Sequence, residues 1–577
     1  TLGAWTVQLK RKKIMDLKNI IAAITLSAAV IVLYGLFFAP TQEELSKINE
    51  KGKNEINQNT DAPIIDEKIE VKAVTREDAI KKDNRIIFEN SFIKGSISLL
   101  GGAIDDLELK AYNKTLKSNE KIQLLNPAST NNGYTFNTGW ATRANIETPN
   151  SNTIWEIDGT NKLTPSKPVK IYYENDSGIR FERLISIDEK YLFSIKQTLI
   201  NKSQDTFKVY PFARINRNSL PSDLTDFYIL HEGYTFITGE NIEEVDYDEV
   251  EENKFSTEGS TGVLIQGDKY WMTSIIPEQG RNFRFDLDYK NKYRASYIDL
   301  KGYEARPNTL IEHNVKSLIG AKEIKQINKY KEDLKIEKLD LIVNYGVLYF
   351  IIVPMHKILS YFFNFTGNYG YAIILLTILV RVVFFPLNQY SMKSMGKMKS
   401  LGPEIENLKT RFKDDKQQLQ REMMKLYKVN GVNPASSCFP ILIQIPIFFS
   451  LYKLLLLDLA MRHSPFVWVW QDLSAKDPLT IFNLFGLLPY SVPTFLEIGL
   501  LPVLMGSSMW LQMKLSPQPS GSDEMQKMQK KIFMLMPLFL TVILAPFAAG
   551  LILYWVCTNI LTIIQQYIIN RNIKVKS

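Results

Sequence analysis

Cysteine is almost missing from this chain of 577 residues, which holds only Cys438 and Cys557. Both lie in apolar segments, so a disulfide framework for any exported region is excluded and packing is the simplest role for each. Histidine is scarce too. His231, His313, His356 and His463 are scattered, and neither an HExxH nor a CxxC spacing occurs, which removes the common metalloenzyme and redox patterns. No GxxxxGK[ST] loop is present, so no nucleotide cofactor is expected. Nine acidic residues between 240 and 258 lack the alternating Asp/Asn-and-Gly order of a calcium loop and read as a solvated acidic loop. Gly259-Ser-Thr-Gly262 falls one residue short of a nucleophile elbow and reads as a turn.

What is present divides the chain in two. Mean hydropathy is -0.11 with 11% aromatic residues, which fits neither a purely soluble nor a purely membrane protein. Residues 41–340 hold 42 Lys+Arg against 49 Asp+Glu, a net -7, and the remainder of the chain carries the compensating +15. The basic excess therefore belongs to the apolar part, where cytoplasmic loops collect Lys and Arg, and is no sign of sequence-specific nucleic-acid binding.

Residues 20–38 form an uncharged run of 19 residues behind Lys10, Arg11, Lys12, Lys13 and Lys18. A cleavable signal peptide is the rival reading, but the run is long and lacks a small-x-small site, so it reads as an uncleaved anchor with residues 1–19 in the cytoplasm. Met15-Asp-Leu-Lys reads as a natural start, with 1–14 an upstream extension. Further apolar segments lie at 367–387, 438–457, 495–513, 532–549 and 551–569. Threading them places 388–437, 514–531 and the tail 570–577 inside, and 458–494 outside. Ten Lys/Arg in 388–437 agree with that threading, and Lys453 reads as snorkelling from the outer end of its span. Residues 341–363, with Pro354, His356 and Lys357, suit an amphipathic helix on the outer surface, within a connection at 321–363. Residues 481–494 are broken by Pro489 and Pro493 and read as interfacial or re-entrant. The fifth span offers about 20 Å of helix before Ala545-Pro546, against a hydrocarbon core of about 30 Å.

After a polar linker at 39–61, short alternating stretches such as 86–88, 95–100, 169–173, 191–200 and 208–212 are separated by Gly, Asn, Asp and Ser. They predict a large β-sandwich over 62–320, with helical periodicity only from 321 to 341. Between the second and third spans, Met395, Met398, Leu401, Ile405, Leu408 and Phe412 recur at helical spacing, and Leu419, Met423 and Leu426 repeat it. Asp415 is placed to cap the second helix, Asn430-Gly431 ends it, and Gly402-Pro403 kinks the first. Met395, Met398, Met423 and Met424 read as either the seam of this hairpin or an adaptable surface for apolar segments, and its basic face suits anionic lipid, ribosomal RNA or a receptor.

Arg381 stands inside the apolar run 370–386. A charge at membrane depth costs about 3 kcal/mol or more on insertion scales, and arginine does not escape it by losing a proton. It faces either a polar cavity or, five residues from Pro386, snorkels to the inner boundary; periodicity leaves both open.

The string from Arg381 through Pro386-Leu-Asn-Gln-Tyr-Ser-Met-Lys-Ser-Met, then Val432-Asn-Pro434, Cys438-Phe-Pro-Ile-Leu-Ile-Gln-Ile-Pro-Ile-Phe448 and the stretch from Gly550 to Gln566, resembles the YidC-type membrane protein insertases over roughly 340–575. The extra first span and exported domain further resemble the Gram-negative bacterial form. The resemblance implies a six-span α-helical inner-membrane protein, a five-helix insertase core carrying a large exported all-β, supersandwich-like domain, with both termini cytoplasmic. It implies no enzyme activity and no metal or other cofactor. Its expected partners are nascent membrane proteins, the lipid bilayer, a Sec-type translocon and the ribosome. By resemblance Arg381 is the arginine of a hydrophilic groove that Thr377 and Gln444 help hydrate. Trp555 stands where the family commonly has tyrosine, and Phe448 and Thr558 fall in the same motifs. Phe539 and Ile543 are either apolar partners of the substrate helix or ordinary lipid-facing side chains. A solute transporter or channel with an external β domain is the alternative, but paired intramembrane charges and inverted repeats are lacking. A third class, an enzyme acting through the β domain, has no defensible carboxylate/histidine arrangement.

Overall fold

The computed structural model describes residues 74–574 except 117, 223, 225–230, 344–345, 414, 434–438, 486, 489, 491, 494–496 and 516–523. The expected anchor at 20–38, its flank 1–19, the linker 39–61, Cys438 and part of the 514–531 loop thus lie outside the described residues.

Alternation of apolar and polar residues drives the first half of the chain into sheet. Among the described residues, twenty strands between Arg85 and Ala321 build one sheet of eleven strands and one of nine. In the strand Ile179–Ile187 every second residue, from Ile179 to Phe181, Arg183, Ile185 and Ile187, points into the core. That strand and Thr309–Ala321 flank Leu192–Asn201 antiparallel. Inner faces of both sheets share one core, where Phe88 meets Phe193 edge to face at 5.3 Å. With no disulfide expected, burial of aromatic and branched side chains holds this domain.

A short helix α1 (Arg76–Lys81), capped by Thr75, precedes the sheets. The acidic stretch at 240–258 is not the solvated loop expected of it. It is a strand, Asn241–Asp246, then helix α2 (Tyr247–Glu252) opened by a capping box at Asp246, then the strand Phe255–Gly259. Tyr247 and Val250, one helical turn apart, sink into the core and tie the segment down while its carboxylates stay outside. Gly259 ends one strand and Gly262 begins the next, so the pair brackets a turn.

Helix α3 (Ile324–Leu334) leaves the sheets and stops at Lys335, whose backbone is left-handed. Helix α4 (Tyr349–Thr366) follows two 3-10 turns. The segment expected to lie on the outer surface therefore begins later than 341. It also packs against the next helix and against a later one through Ile352, Met355 and Leu359, whose three-to-four spacing makes a single buried face. Phe350, Tyr361 and Phe365 stay exposed on its other side.

Helix α5 (Tyr369–Val383) meets α6 (Phe385–Ser400) at a bend of 63°. The apolar segment read as 367–387 is thus broken before its end. Pro386 has no N–H to continue a helical ladder and disfavours helical geometry in the residue before it. Helices α7 (Gly402–Arg411) and α8 (Lys416–Val429) form the hairpin. The first arm breaks at Leu401, and Asp415 caps α8 by accepting from Gln417 N at 3.1 Å and Gln418 N at 3.0 Å. Helices α9 (Phe439–Leu457), α10 (Leu500–Leu515), α11 (Glu524–Leu544) and α12 (Ala549–Lys574) complete the bundle, with α12 packed against α5, α9 and α10. Described residues at 481–493 make turns, with Leu484 and Phe485 at positive φ.

Among the described residues, one helix, over Ala549–Ile569, is long and apolar enough to cross a bilayer by itself, and the bent pair α5–α6 passes as one span. Ile443–Leu457 and Met534–Leu544 are shorter apolar stretches.

Candidate functional site

Asn368 starts α5 by accepting from Gly370 N at 2.9 Å and Tyr371 N at 3.3 Å, and the helix then runs through apolar residues to Arg381 in its last turn. The guanidinium turns into the bundle. Its Nη2 donates to the backbone carbonyl of Thr558 on α12 at 3.3 Å, and that carbonyl also accepts from Thr562 Oγ1 at 2.7 Å. No carboxylate pairs with Arg381 among the described residues. The contact is long and shared, and a guanidinium has five N–H groups to satisfy.

Gln444 Nε2 donates to the Tyr554 hydroxyl at 2.8 Å, which ties α9 to α12 beside Arg381. One turn further, Phe448 meets Trp555 edge to face at 4.8 Å. Arg381, Gln444, Phe448, Trp555 and Thr558 thus converge across three helices. Thr377 is fully buried and its hydroxyl donates to Ile373 O at 2.7 Å, so its proton is used inside its own helix. Phe539 and Ile543 are set apart on α11, 63% and 44% exposed, in an apolar stripe with Leu535, Leu538 and Val542. Met395 and Met398 on α6 and Met423 on α8 are half-buried, whereas Met424 is 57% exposed.

Sequence reasoning passed over Tyr554 and Thr562. With Thr558 and Gln566 they fall four residues apart along an otherwise apolar helix, a spacing that lines up one polar face. Asn559 adds a second polar tie, donating to Ser508 Oγ at 3.0 Å and Met505 O at 3.3 Å on α10. Ser391 Oγ on α6, Ser450 Oγ on α9 and Gln565 Nε2 on α12 are buried with no hydrogen-bond partner among the described residues. Each such orphan costs about 1–3 kcal/mol in a dry interior, so the pattern suits a region that water reaches. Nothing here joins a nucleophile to a base.

Residues 361–576 match the family model described as 60Kd inner membrane protein, and residues 85–358 match that of the YidC periplasmic domain. The membrane protein insertase YidC of Pelagibacter ubique is 48% identical over 564 residues, spanning 98% of this chain and all of that protein. The chain belongs to the YidC family of membrane protein insertases. The insertase of the same name from Brucella melitensis is 39% identical over 511 residues, 87% of this chain and 83% of its own. A solved structure titled active YidC insertase with the first transmembrane domain resolved shares 17% identity at a TM-score of 0.35, covering 86% of this chain and 94% of that one. As a YidC-family insertase, the chain is an inner-membrane protein with a periplasmic β domain and a helical core. It acts on nascent membrane proteins and the bilayer and is not an enzyme. These relatives do not favour the transporter or channel alternative.

Proposed function

We propose that the helices around Arg381 form a groove, open to cytoplasm and lipid, through which a nascent chain passes its polar tail while its apolar segment slides out between α9 and α11. The observation that carries this reading is the Arg381 guanidinium, held inside the bundle, among the described residues, by one shared carbonyl and no carboxylate. A cation so lightly held supplies positive potential to an acidic tail and lowers the barrier to carrying carboxylates partway across. Gln444, Tyr554 and Thr558 supply polar contacts and Thr377 a further oxygen. Trp555, Phe448, Phe539 and Ile543 offer apolar contact to the emerging helix. The short apolar part of α11 thins the bilayer there. Release into hydrocarbon is downhill, so no nucleotide is needed.

The full topology of this reading has six spans, at 20–38, 367–387, 438–457, 495–513, 532–549 and 551–569, with both termini cytoplasmic and 62–320 exported. The basic hairpin at 388–437, with Met395, Met398, Met423 and Met424, meets the incoming chain, anionic lipid and the ribosome, and a Sec-type translocon is the expected neighbour for larger substrates. Insertion of a single-span, acidic-tailed substrate into vesicles reconstituted with the full chain tests the central claim. Arg381→Ala is expected to slow it about tenfold, the equivalent of about 1.4 kcal/mol, and Arg381→Glu further. Wild-type rates for both would remove the electrostatic role, and photocrosslinks from 381 and 555 that miss a stalled chain would remove the groove.

A further inference from the structure

Residues 464–480, between α9 and α10, lie across the end of the bundle that faces the β domain, where Arg462 just before them donates to the carbonyls of Asn113 and Lys114 at 2.8 and 3.0 Å. They are tied to three helices at once. Phe466 O accepts from Nδ2 of Asn368, the cap of α5, at 2.8 Å, and the Phe466 ring meets Tyr371 edge to face at 5.4 Å. Ala475 O accepts from Ala549 N at 2.7 Å and Leu473 O from Gly550 N at 2.9 Å, so the first two N–H groups of α12 are used. Asp477 holds α10. Its Oδ2 accepts from Leu501 N at 2.6 Å, while Oδ1 accepts from Trp470 Nε1 and Leu479 N, each at 3.0 Å.

The first N–H groups of a helix have no partner inside it, and at an open membrane face water serves them. Here the segment serves them instead, and Leu473, Asp477 and Leu479 are buried against the bundle. The fit is close. A Cβ on Gly370 of α5 would fall 1.9 Å from the Phe466 ring, and one on Gly499, just before α10, 2.5 Å from Asp477 Cβ. A carboxylate that accepts from the first turn of a helix makes a charge-assisted bond, stronger than the neutral ones around it. At the opposite end of α5, Arg381 has one shared carbonyl among the described residues.

We propose that residues 464–480 are a strap, latched by Asp477, that stays shut while a chain inserts, so that the groove has no outlet at this end and chains leave it sideways. The inference rests on the groove reading and names the part that keeps the bilayer ion-tight beside it. Two measurements on the full chain in vesicles test it. Passive proton leak, followed with a trapped pH-sensitive dye and no substrate, should rise about tenfold in Asp477→Ala, the scale of one charge-assisted hydrogen bond lost from a latch. Lys476 and Ala548 face each other as an antiparallel pair, a geometry within reach of a disulfide. In a chain carrying Cys438→Ser and Cys557→Ser, the changes Lys476→Cys and Ala548→Cys should therefore lock the strap on oxidation. The locked chain should insert within about twofold of its reduced form, since a lock on the state already occupied shifts nothing. Adding Asp477→Ala to that chain should give a leak that oxidation removes. A rate that falls about tenfold on locking would make the segment a gate that has to open, and would overturn the proposal. So would an unchanged leak in Asp477→Ala, or a disulfide that does not form. If Asp477→Ala does not fold, the locking measurement decides by itself. Leak is followed without substrate, so its outcome stays separate from the Arg381 rates that decide the groove.

Discussion

Arg183 in the β domain and Arg381 in the helical core are both turned inward, and among the described residues neither has a carboxylate partner. Their surroundings differ. Arg183 takes an inward position of its strand and stacks on Trp155 at 4.1 Å. It donates to Gly102 O at 2.9 Å, to Gly101 O at 3.5 Å and to Thr138 O. Burial alone lowers its pKa to about 9, so the guanidinium keeps its proton at neutral pH. Among the described residues Arg381 makes one hydrogen bond, at 3.3 Å, to a carbonyl already engaged. One arginine is fixed by its neighbours; the other is left able to change partners. Several hydrogen bonds and a stacked ring suit a structural buried charge, and the thinner set at Arg381 suits the proposed role of meeting an arriving chain.

The largest effect should separate these two. Arg183→Ala strands three backbone carbonyls and is expected to cost about 3–5 kcal/mol, whereas Arg381→Ala should leave stability within about 1 kcal/mol while slowing insertion. Thermal melting of the full chain beside the vesicle assay reads both. A larger loss of stability at 381 than at 183 would reverse the comparison.

Titration gives the next effect. Burial pushes the His313 imidazole down to about 4 from 6.5, between the hydroxyls of Tyr297 at 3.1 Å and Tyr303 at 3.2 Å. A folded value below the unfolded one means stability is present above pH 6.5 and lost as pH falls toward 4, up to about 3 kcal/mol. Asp105 behaves oppositely. Burial outweighs the nearby Arg85 and raises its carboxyl from 3.8 to about 7, so its contribution is present below 3.8 and lost as pH rises to 7. Between about pH 4 and 6.5 the two slopes oppose each other. His313→Gln should expose a fall in β-domain stability on raising pH through that window, and Asp105→Asn a fall on lowering it. Urea midpoints that show no slope in either variant would refute both assignments.

How much could be read in advance followed the same divide. The stretch 169–173 lies in the strand Val169–Glu174 and 191–200 nearly coincides with Leu192–Asn201, because period-two alternation and turn residues report burial directly. Asp415 and the Gly402-Pro403 break were legible for the same local reason. The acidic stretch at 240–258 misled because its three buried residues, Val245, Tyr247 and Val250, are outnumbered by carboxylates that stay in water. In the core, Arg381 stood out as a charge among apolar residues, whereas Gln444 came only from the family resemblance. Tyr554 was hidden by Trp555, the neighbour at which the motif departs from its family. That the Tyr554 hydroxyl meets Gln444 depends on how α9 and α12 face each other, which one sequence does not encode locally.

Glycine contacts give the smallest expected effect and sharpen the comparison at the level of packing. A Cβ on Gly320 would come within 2.3 Å of the Tyr191 ring, which is held through its hydroxyl to Glu323. A Cβ on Gly506 in α10 would come within 2.0 Å of Thr541 Oγ1 on α11, the far end of a small side chain. The ring cannot turn away without breaking its bond, so Gly320→Ala should cost about 2–3 kcal/mol. Gly506→Ala should cost about 1 kcal/mol, by moving the hydroxyl or spreading the two helices slightly. Removing the obstacle tests the cause, since Thr541→Ala in the Gly506→Ala background should recover most of the loss, a coupling that a double-mutant cycle measures. Additive losses would mean that the two helices yield together and that the core, like the sheets, has no slack at this crossing.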